Sequence, residues 1–227
     1  MLRHTPFAIG ETYHIYNRGA HKQNVFTNDV DYKRFLLLLF IMNNPAPFEL
    51  RHILAKYGGQ SSEIIFEKEK SVHSLVDVLA YSLMPNHFHV VVRQKGEGGI
   101  TKFFKKVLTG YSMYFNTKYN HSGILFQGPF KSKHIDTESY FRWIFSYVHL
   151  NPLSLIEPGW EEVGIKDKNN VRNFMRNYKY SSYQDYPYGG RPESNILAVD
   201  DIPEFLIKQN DLENLLRHYT EDSPPRE

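Results

Sequence analysis

Val76-Asp77-Val78-Leu79-Ala80-Tyr81-Ser82-Leu83-Met84-Pro85-Asn86-His87-Phe88-His89-Val90-Val91-Val92-Arg93 decides the fold. Two apolar runs rich in valine flank a Pro-Asn bend. The spacing is too short for a crossover, so Val76–Leu83 and His87–Arg93 read as strands of an antiparallel hairpin. Side chains alternate along a strand, which sends His87 and His89 to one face and Phe88 to the other. Two imidazoles one strand repeat apart can grip a single divalent ion. The same pattern also occurs in strands that bind nothing, so alone it marks candidates.

Outward from the hairpin, elements alternate. Tyr13 to Arg18 reads as a strand ending at Gly19, and Asp29 to Asn43 as a helix capped by Asn28 or Asp29, with Pro45 beyond its end. Asn44 to Ser74 is polar, with Gly58-Gly59 and a mixed-charge patch, and reads as an elaborated connection. After the Gly96–Gly99 loop, Ile100 to Tyr119 is a long amphipathic helix. Ile124 to Ile135 is strand-like and broken around Gly128-Pro129. Thr137 to Leu150 is a helix stopped by Asn151-Pro152. Strand, helix, strand, strand, helix, strand is a split βαβ plan. The fold class expected is α+β, ferredoxin-like: an antiparallel sheet with two helices on one face and the later helix against it. Residues 1–155 form the expected domain, with an insertion near 44–74. Residues 156–227 form a C-terminal extension in which Tyr178–Tyr188 packs back, Asp200–Tyr219 forms short helices and the tail frays.

Bulk composition sets limits. At 227 residues, 41% hydrophobic and 15% aromatic, the chain suits one sizeable core. There are no cysteines, which removes disulfides and thiolate chemistry and suits a reducing cytoplasm. Phe35 to Met42 is too short an apolar run to span a bilayer, and the N-terminus lacks a signal-peptide pattern. No membrane role is expected.

A net charge of +2 says little, but its arrangement says more. From Gly98 to Ile135 there is no Asp or Glu, while Lys102, Lys105, Lys106, Lys118, Lys131 and Lys133 alternate with aromatics. Lysines contact phosphates and rings stack on unpaired bases, so the stretch has the composition of a nucleic-acid surface. Phe103, Val107, Leu108, Tyr111 and Phe115 fall near helical spacing and belong to a core stripe instead. Tyr111 and Tyr114 are candidates for packing or for stacking on DNA. His14, His121 and His134 read as polar surface or satisfied core residues, and His149 as structural or DNA-facing.

The second informative stretch is Tyr147-Val148-His149-Leu150-Asn151-Pro152. Tyr147 and Asn151 lie four apart on one helix face. A phenol can attack phosphorus when a cation polarises the scissile phosphate, and an amide oxygen can complete a coordination set begun by two imidazoles.

His87-Phe88-His89, within Leu83-Met84-Pro85-Asn86-His87-Phe88-His89, resembles the His-hydrophobic-His motif of the HUH endonuclease superfamily. With Tyr13-His14-Ile15-Tyr16-Asn17-Arg18-Gly19 upstream and Tyr147–Pro152 downstream, the chain is similar to single-tyrosine transposases, most of all the REP-associated branch. The resemblance covers about residues 8–155, and Tyr180-Ser181-Ser182-Tyr183 echoes a later segment. It implies a strand-cleaving and rejoining enzyme acting on single-stranded DNA with hairpin or palindromic elements through a 5′-phosphotyrosine. In that reading Tyr147 is the nucleophile, His87, His89 and Asn151 hold Mg²⁺ or Mn²⁺, and Arg18, Lys102, Lys105, Lys106, Lys131 and Lys133 contact DNA. Monomer and homodimer both fit. One departure stands out: Pro129 occupies a position where relatives often carry arginine, and Lys131 or Lys133 is expected to take over that contact. Two rival readings remain: a non-catalytic DNA- or RNA-binding module on the same fold, and a metal-dependent hydrolase of another kind using water. Tyr140 is the remaining rival to Tyr147 as nucleophile.

Overall fold

The structure is a computed structural model and describes residues 6–46, 50–57, 62–68, 73–186, 190–199, 202 and 211–223. Four strands, β1 (Thr12–Arg18), β2 (Val76–Met84), β3 (His87–Gln94) and β4 (Lys131–Ile135), form one sheet in the order β2-β3-β1-β4, with every neighbouring pair antiparallel. This is the α+β, ferredoxin-like arrangement expected from the element order.

Alternation along β1 and β3 divides the core in two. Ile15, Phe88, Val90 and Val92 face α1 (Asp29–Ile41) and α4 (Gly99–Tyr119), and meet Phe35, Leu38, Phe104 and Tyr111 in the larger cluster. Asn28 caps α1, its side chain accepting from the Asp31 amide. On the other face Val91 meets Ile144, Phe145 and Val148 of α5 (Glu138–Leu150), with Leu79 and Ala80 of β2. The β2–β3 register slips between Val78 and Ala80, a bulge that turns both Leu79 and Ala80 toward α5. Thr137 caps α5, accepting from the Tyr140 amide.

β2 is an edge strand, yet it is buried along its whole length. The C-terminal extension covers it. Leu83 N–H donates to the Tyr180 carbonyl (2.9 Å), Tyr81 N–H to Ser182 Oγ (2.9 Å) and Ala198 N–H to the Val78 carbonyl (2.9 Å). A sheet edge covered in this way cannot recruit another chain. The extension also supplies α6 (Trp160–Val163), α7 (Lys168–Asn177) and α8 (Leu212–Glu221), and Leu212 and Leu215 of α8 join the α5 cluster.

One expectation needs correction. Strand structure between Ile124 and Ile135 is confined to Lys131–Ile135. The preceding residues run as turns through Gly128 (φ 111°), tied in by a bridge between Gly19 and Phe126 and by Asn17 Nδ2 and Gln23 Nε2, which donate to the Gly128 (3.0 Å) and Leu125 (3.1 Å) carbonyls. The 44–74 stretch holds α2 (Leu50–Lys56) and α3 (Ser62–Lys68), and Tyr57, Ile65 and Phe66 enter the main core, Phe66 lying 5.1 Å from Phe40 between ring centroids. Of the expected Tyr178–Tyr188 segment, Tyr178–Tyr186 is described and the last two residues lie outside the described residues, as does most of Asp200–Asn210. No described helix is long and apolar enough to cross a membrane.

Candidate active site

β3 carries His87 and His89 on the α5 side of the sheet, and β1 sets Arg18 opposite His87 and Tyr16 opposite His89. The pairing register therefore builds one wall of a cleft from four side chains. α5 supplies the other wall. Tyr147 meets the ring of His89 edge-on at 5.2 Å (85°), and Tyr16, Arg18, His87, His89, Lys131 and Tyr147 line one cavity of about 340 Å³. The phenol is half-buried. Its ring stacks on Trp143 at 5.2 Å (9°), and Tyr219 of α8 lies parallel at 6.5 Å. Burial, with the nearby negative charge of Glu161, pushes its hydroxyl up to about 12.

Both candidate imidazoles are neutral at pH 7. Burial lowers His87 to about 4, with the Arg18 charge acting in the same direction and the Asn151 contact opposing it. His89 is lowered as well, by burial and by its histidine neighbours His14 and His87. A neutral imidazole offers a lone pair, which is the state a metal ligand needs.

Among the described residues no group of three or more His, Cys, Asp or Glu side chains is arranged to hold a metal ion. A set of two imidazoles and one amide lies outside that description, and the bonds around His87 bear on it directly. His87 Nδ1 lies 2.6 Å from Asn86 Oδ1, and Nε2 lies 3.1 Å from Asn151 Oδ1. A neutral ring has one N–H and both nitrogens face a carbonyl oxygen. With the shorter contact donated, Nε2 presents a lone pair toward the lone pairs of Asn151 Oδ1. Two neighbouring ligands of an octahedral ion with bonds of about 2.1 Å sit about 3 Å apart, so the separation fits a shared cation. Turning the Asn151 amide over would satisfy the pair without one. His87 and Asn151 thus have the donor chemistry and spacing to share a divalent ion, and the His89 ring lies beside them, its centre 5.0 Å from that of His87.

The sequence-based candidates divide. Tyr147, His87, Arg18 and Lys131 come together around the cavity with His89, and Asn151 reaches His87. Lys133 is opposite His14 on β4, its ammonium 5.9 Å from the Tyr140 ring centre. Lys102, Lys105 and Lys106 sit on α4, which covers the opposite face of the sheet, and Lys106 donates to the carbonyls of Asn44 (2.6 Å) and Ala46 (3.0 Å). Tyr111 is fully buried and donates to the Val25 carbonyl, while Tyr114 donates to Asp31; both are packing residues. His149 is buried against Ser182 Oγ at 2.8 Å. Sequence reasoning missed Tyr16, which lines the cavity, and Asn86, which contacts His87, and it left His14 as a polar surface or satisfied core residue although its Nε2 lies 2.8 Å from His89 Nδ1.

The fold and cleft define a class: a ferredoxin-like α+β protein with a phenol set against two neutral imidazoles under a cationic rim. No protein-family model matches the chain, and no curated protein matches it. Among solved structures, that of the REP-associated tyrosine transposase bound to a REP hairpin has a TM-score of 0.48 with this chain. That alignment has 11% identity and covers 82% of this chain and 84% of the other.

Proposed function

We propose that this chain is a tyrosine-dependent DNA strand transferase that cleaves and rejoins single-stranded DNA at hairpin elements. The observation that carries the reading is the convergence of Tyr147, His87 and His89 on one cavity that Arg18 and Lys131 also line. These residues come from β1, β3, β4 and α5, and a lone packing tyrosine needs no such company.

Arg18 and Lys131 would hold the backbone phosphate next to the phenol by charge. Tyr147 Oη forms the new bond to phosphorus, and the bond to the 3′-oxygen breaks. The products are a 5′-phosphotyrosine and a free 3′-hydroxyl; the phenol gives up a proton and the departing oxygen takes one up. Stacking on Trp143 restricts the ring to one attitude, which serves in-line attack. A divalent ion, Mg²⁺ or Mn²⁺, held by His87, His89 and Asn151, would supply charge stabilisation at the scissile phosphate. The phosphodiester energy stays in the protein–DNA link, so the reverse attack by a 3′-hydroxyl rejoins strands without a nucleotide cofactor.

A second reading, a binding module that does not cut, draws on the suppressed ionisation of the Tyr147 hydroxyl and the stacking of its ring on Trp143 with Tyr219 alongside. Incubation of the full chain with a hairpin oligonucleotide and Mn²⁺ or Mg²⁺ separates the readings. A strand transferase gives a protein–DNA adduct that survives denaturation and is removed by protease. Tyr147→Phe abolishes that adduct and spares hairpin binding, and His87→Ala reduces cleavage to background. A binding module gives no adduct, and a water-using hydrolase gives cleavage that persists in Tyr147→Phe.

A further inference from the structure

We propose that His14 is a positioning residue: it accepts the Nδ1 hydrogen of His89 and so keeps His89 Nε2 as the nitrogen with a free lone pair. The inference rests on the metal-holding reading of His89 given above.

The geometry is specific. His14 and His89 are diagonal neighbours on adjacent strands, since His14 pairs with Val91 and His89 with Tyr16. Their rings lie 5.0 Å apart at 17°, nearly coplanar, which brings His14 Nε2 to 2.8 Å from His89 Nδ1. Both side chains are buried, at 6% exposure each, so water does not compete well for this bond.

An N···N contact of this kind holds one hydrogen, and its owner decides what His89 can do. If His14 Nε2 carries it, the neutral His89 ring must carry its own hydrogen on Nε2 and has no lone pair for a cation. If His89 Nδ1 carries it, Nε2 is free to ligate. Arg18 and Lys131 line the same cavity as His89, and positive charge there favours a lone pair over an N–H on the cavity side of that ring, while Lys133 adds positive charge on the His14 side. The bond also uses His14 Nε2, so His14 supports a ligand and is not one itself. Outer partners of this type fix the tautomer and ring attitude of a ligating histidine.

The test reads the hydrogen directly. Long-range ¹H–¹⁵N spectra of the metal-free full chain at about pH 7.5, with the His89 ring assigned by its loss in His89→Gln, should show Nδ1 protonated and Nε2 bare. The opposite tautomer overturns the proposal. Titration with Mn²⁺ alone gives a second readout. His14→Phe should weaken binding by about 10–100-fold. His14→Gln, whose amide oxygen accepts the same hydrogen, should recover most of the affinity. Unchanged affinity in His14→Phe, or equal loss in both variants with unfolding midpoints like that of the parent, also overturns it. If the parent chain binds no Mn²⁺, the metal reading falls, while the metal-free tautomer still decides what His14 does.

Discussion

At the scale of single residues, position relative to the sheet decides which cations matter. Arg18 and Lys131 line the cleft, whereas Lys102 and Lys105 lie on α4 across the sheet from it. Under the proposed function, Arg18→Ala and Lys131→Ala should each weaken hairpin binding and reduce the slope of log affinity against log salt by about 0.7, the release expected from one phosphate contact to a single strand. Lys102→Ala and Lys105→Ala should leave both quantities at the parent value. Fluorescence anisotropy at several salt concentrations checks this, and an equal loss from the α4 variants would place the DNA on the wrong side of the sheet. The acid-free stretch from Gly98 to Ile135 could not make this distinction. It marked six lysines in common, yet Lys118 is bound to the buried Asp31 (2.6 Å) and Lys106 to backbone carbonyls. Composition reports charge density along the chain, and only the fold reports which face the charge is on.

At the scale of elements, the hairpin and the main helices were legible because each has a strong local signal: valine runs around Pro85-Asn86, an Asn28 cap, a Thr137 cap and Pro152 after α5. That Tyr178–Tyr188 packs back was legible from its aromatic rings, but its target, the β2 edge, was not, because the cover depends on Tyr180-Ser181-Ser182 meeting a strand that lies far upstream in the chain. Ser182 is central to that cover. Its hydroxyl accepts from Tyr81 N–H (2.9 Å), donates to the Tyr81 carbonyl (3.2 Å) and meets His149 Nε2 (2.8 Å), all in buried surroundings. Ser182→Ala removes little volume but leaves the Tyr81 amide and the imidazole without that partner. It should destabilise the protein by about 1–3 kcal/mol, measured as a shift in the urea midpoint with the slope unchanged. A neutral result would mean that the edge is held by the backbone bonds of Leu83 and Ala198 alone. His14 escaped sequence reading for a similar reason: alternation puts it on one face with Tyr16 and Arg18, but only the β1–β3 register brings it to His89.

At the scale of the whole molecule, the candidate site and the α5 core share a property that carries a cost in acid: both bury imidazoles in neutral form. In the unfolded chain these rings take up a proton near their ordinary value of about 6.5. In the fold burial lowers His87 to about 4, and His14 and His149 to about 3, with Lys133 adding to the effect at His14; His89 moves in the same direction. Between about pH 6.5 and about 4 the unfolded chain therefore binds more protons than the folded one, so stability falls as pH falls. Each such histidine contributes about 1.4 kcal/mol per pH unit once the pH is well inside that window, and nothing above it. Asp31 belongs to a lower window. Burial raises its carboxyl, and bonds from Lys118 and Thr27 more than offset this, so its contribution is lost only below the ordinary carboxylate range. Urea midpoints should thus be level from about pH 8 to 7 and drop steeply between about pH 6.5 and 5, before carboxylates titrate. Replacing His149 with Gln, which cannot take up a proton, should flatten the drop by about one histidine's share while lowering the plateau. A midpoint unchanged from about pH 7.5 to 5 would mean that these rings open to water before they charge, and that the cleft is looser than its packed geometry indicates.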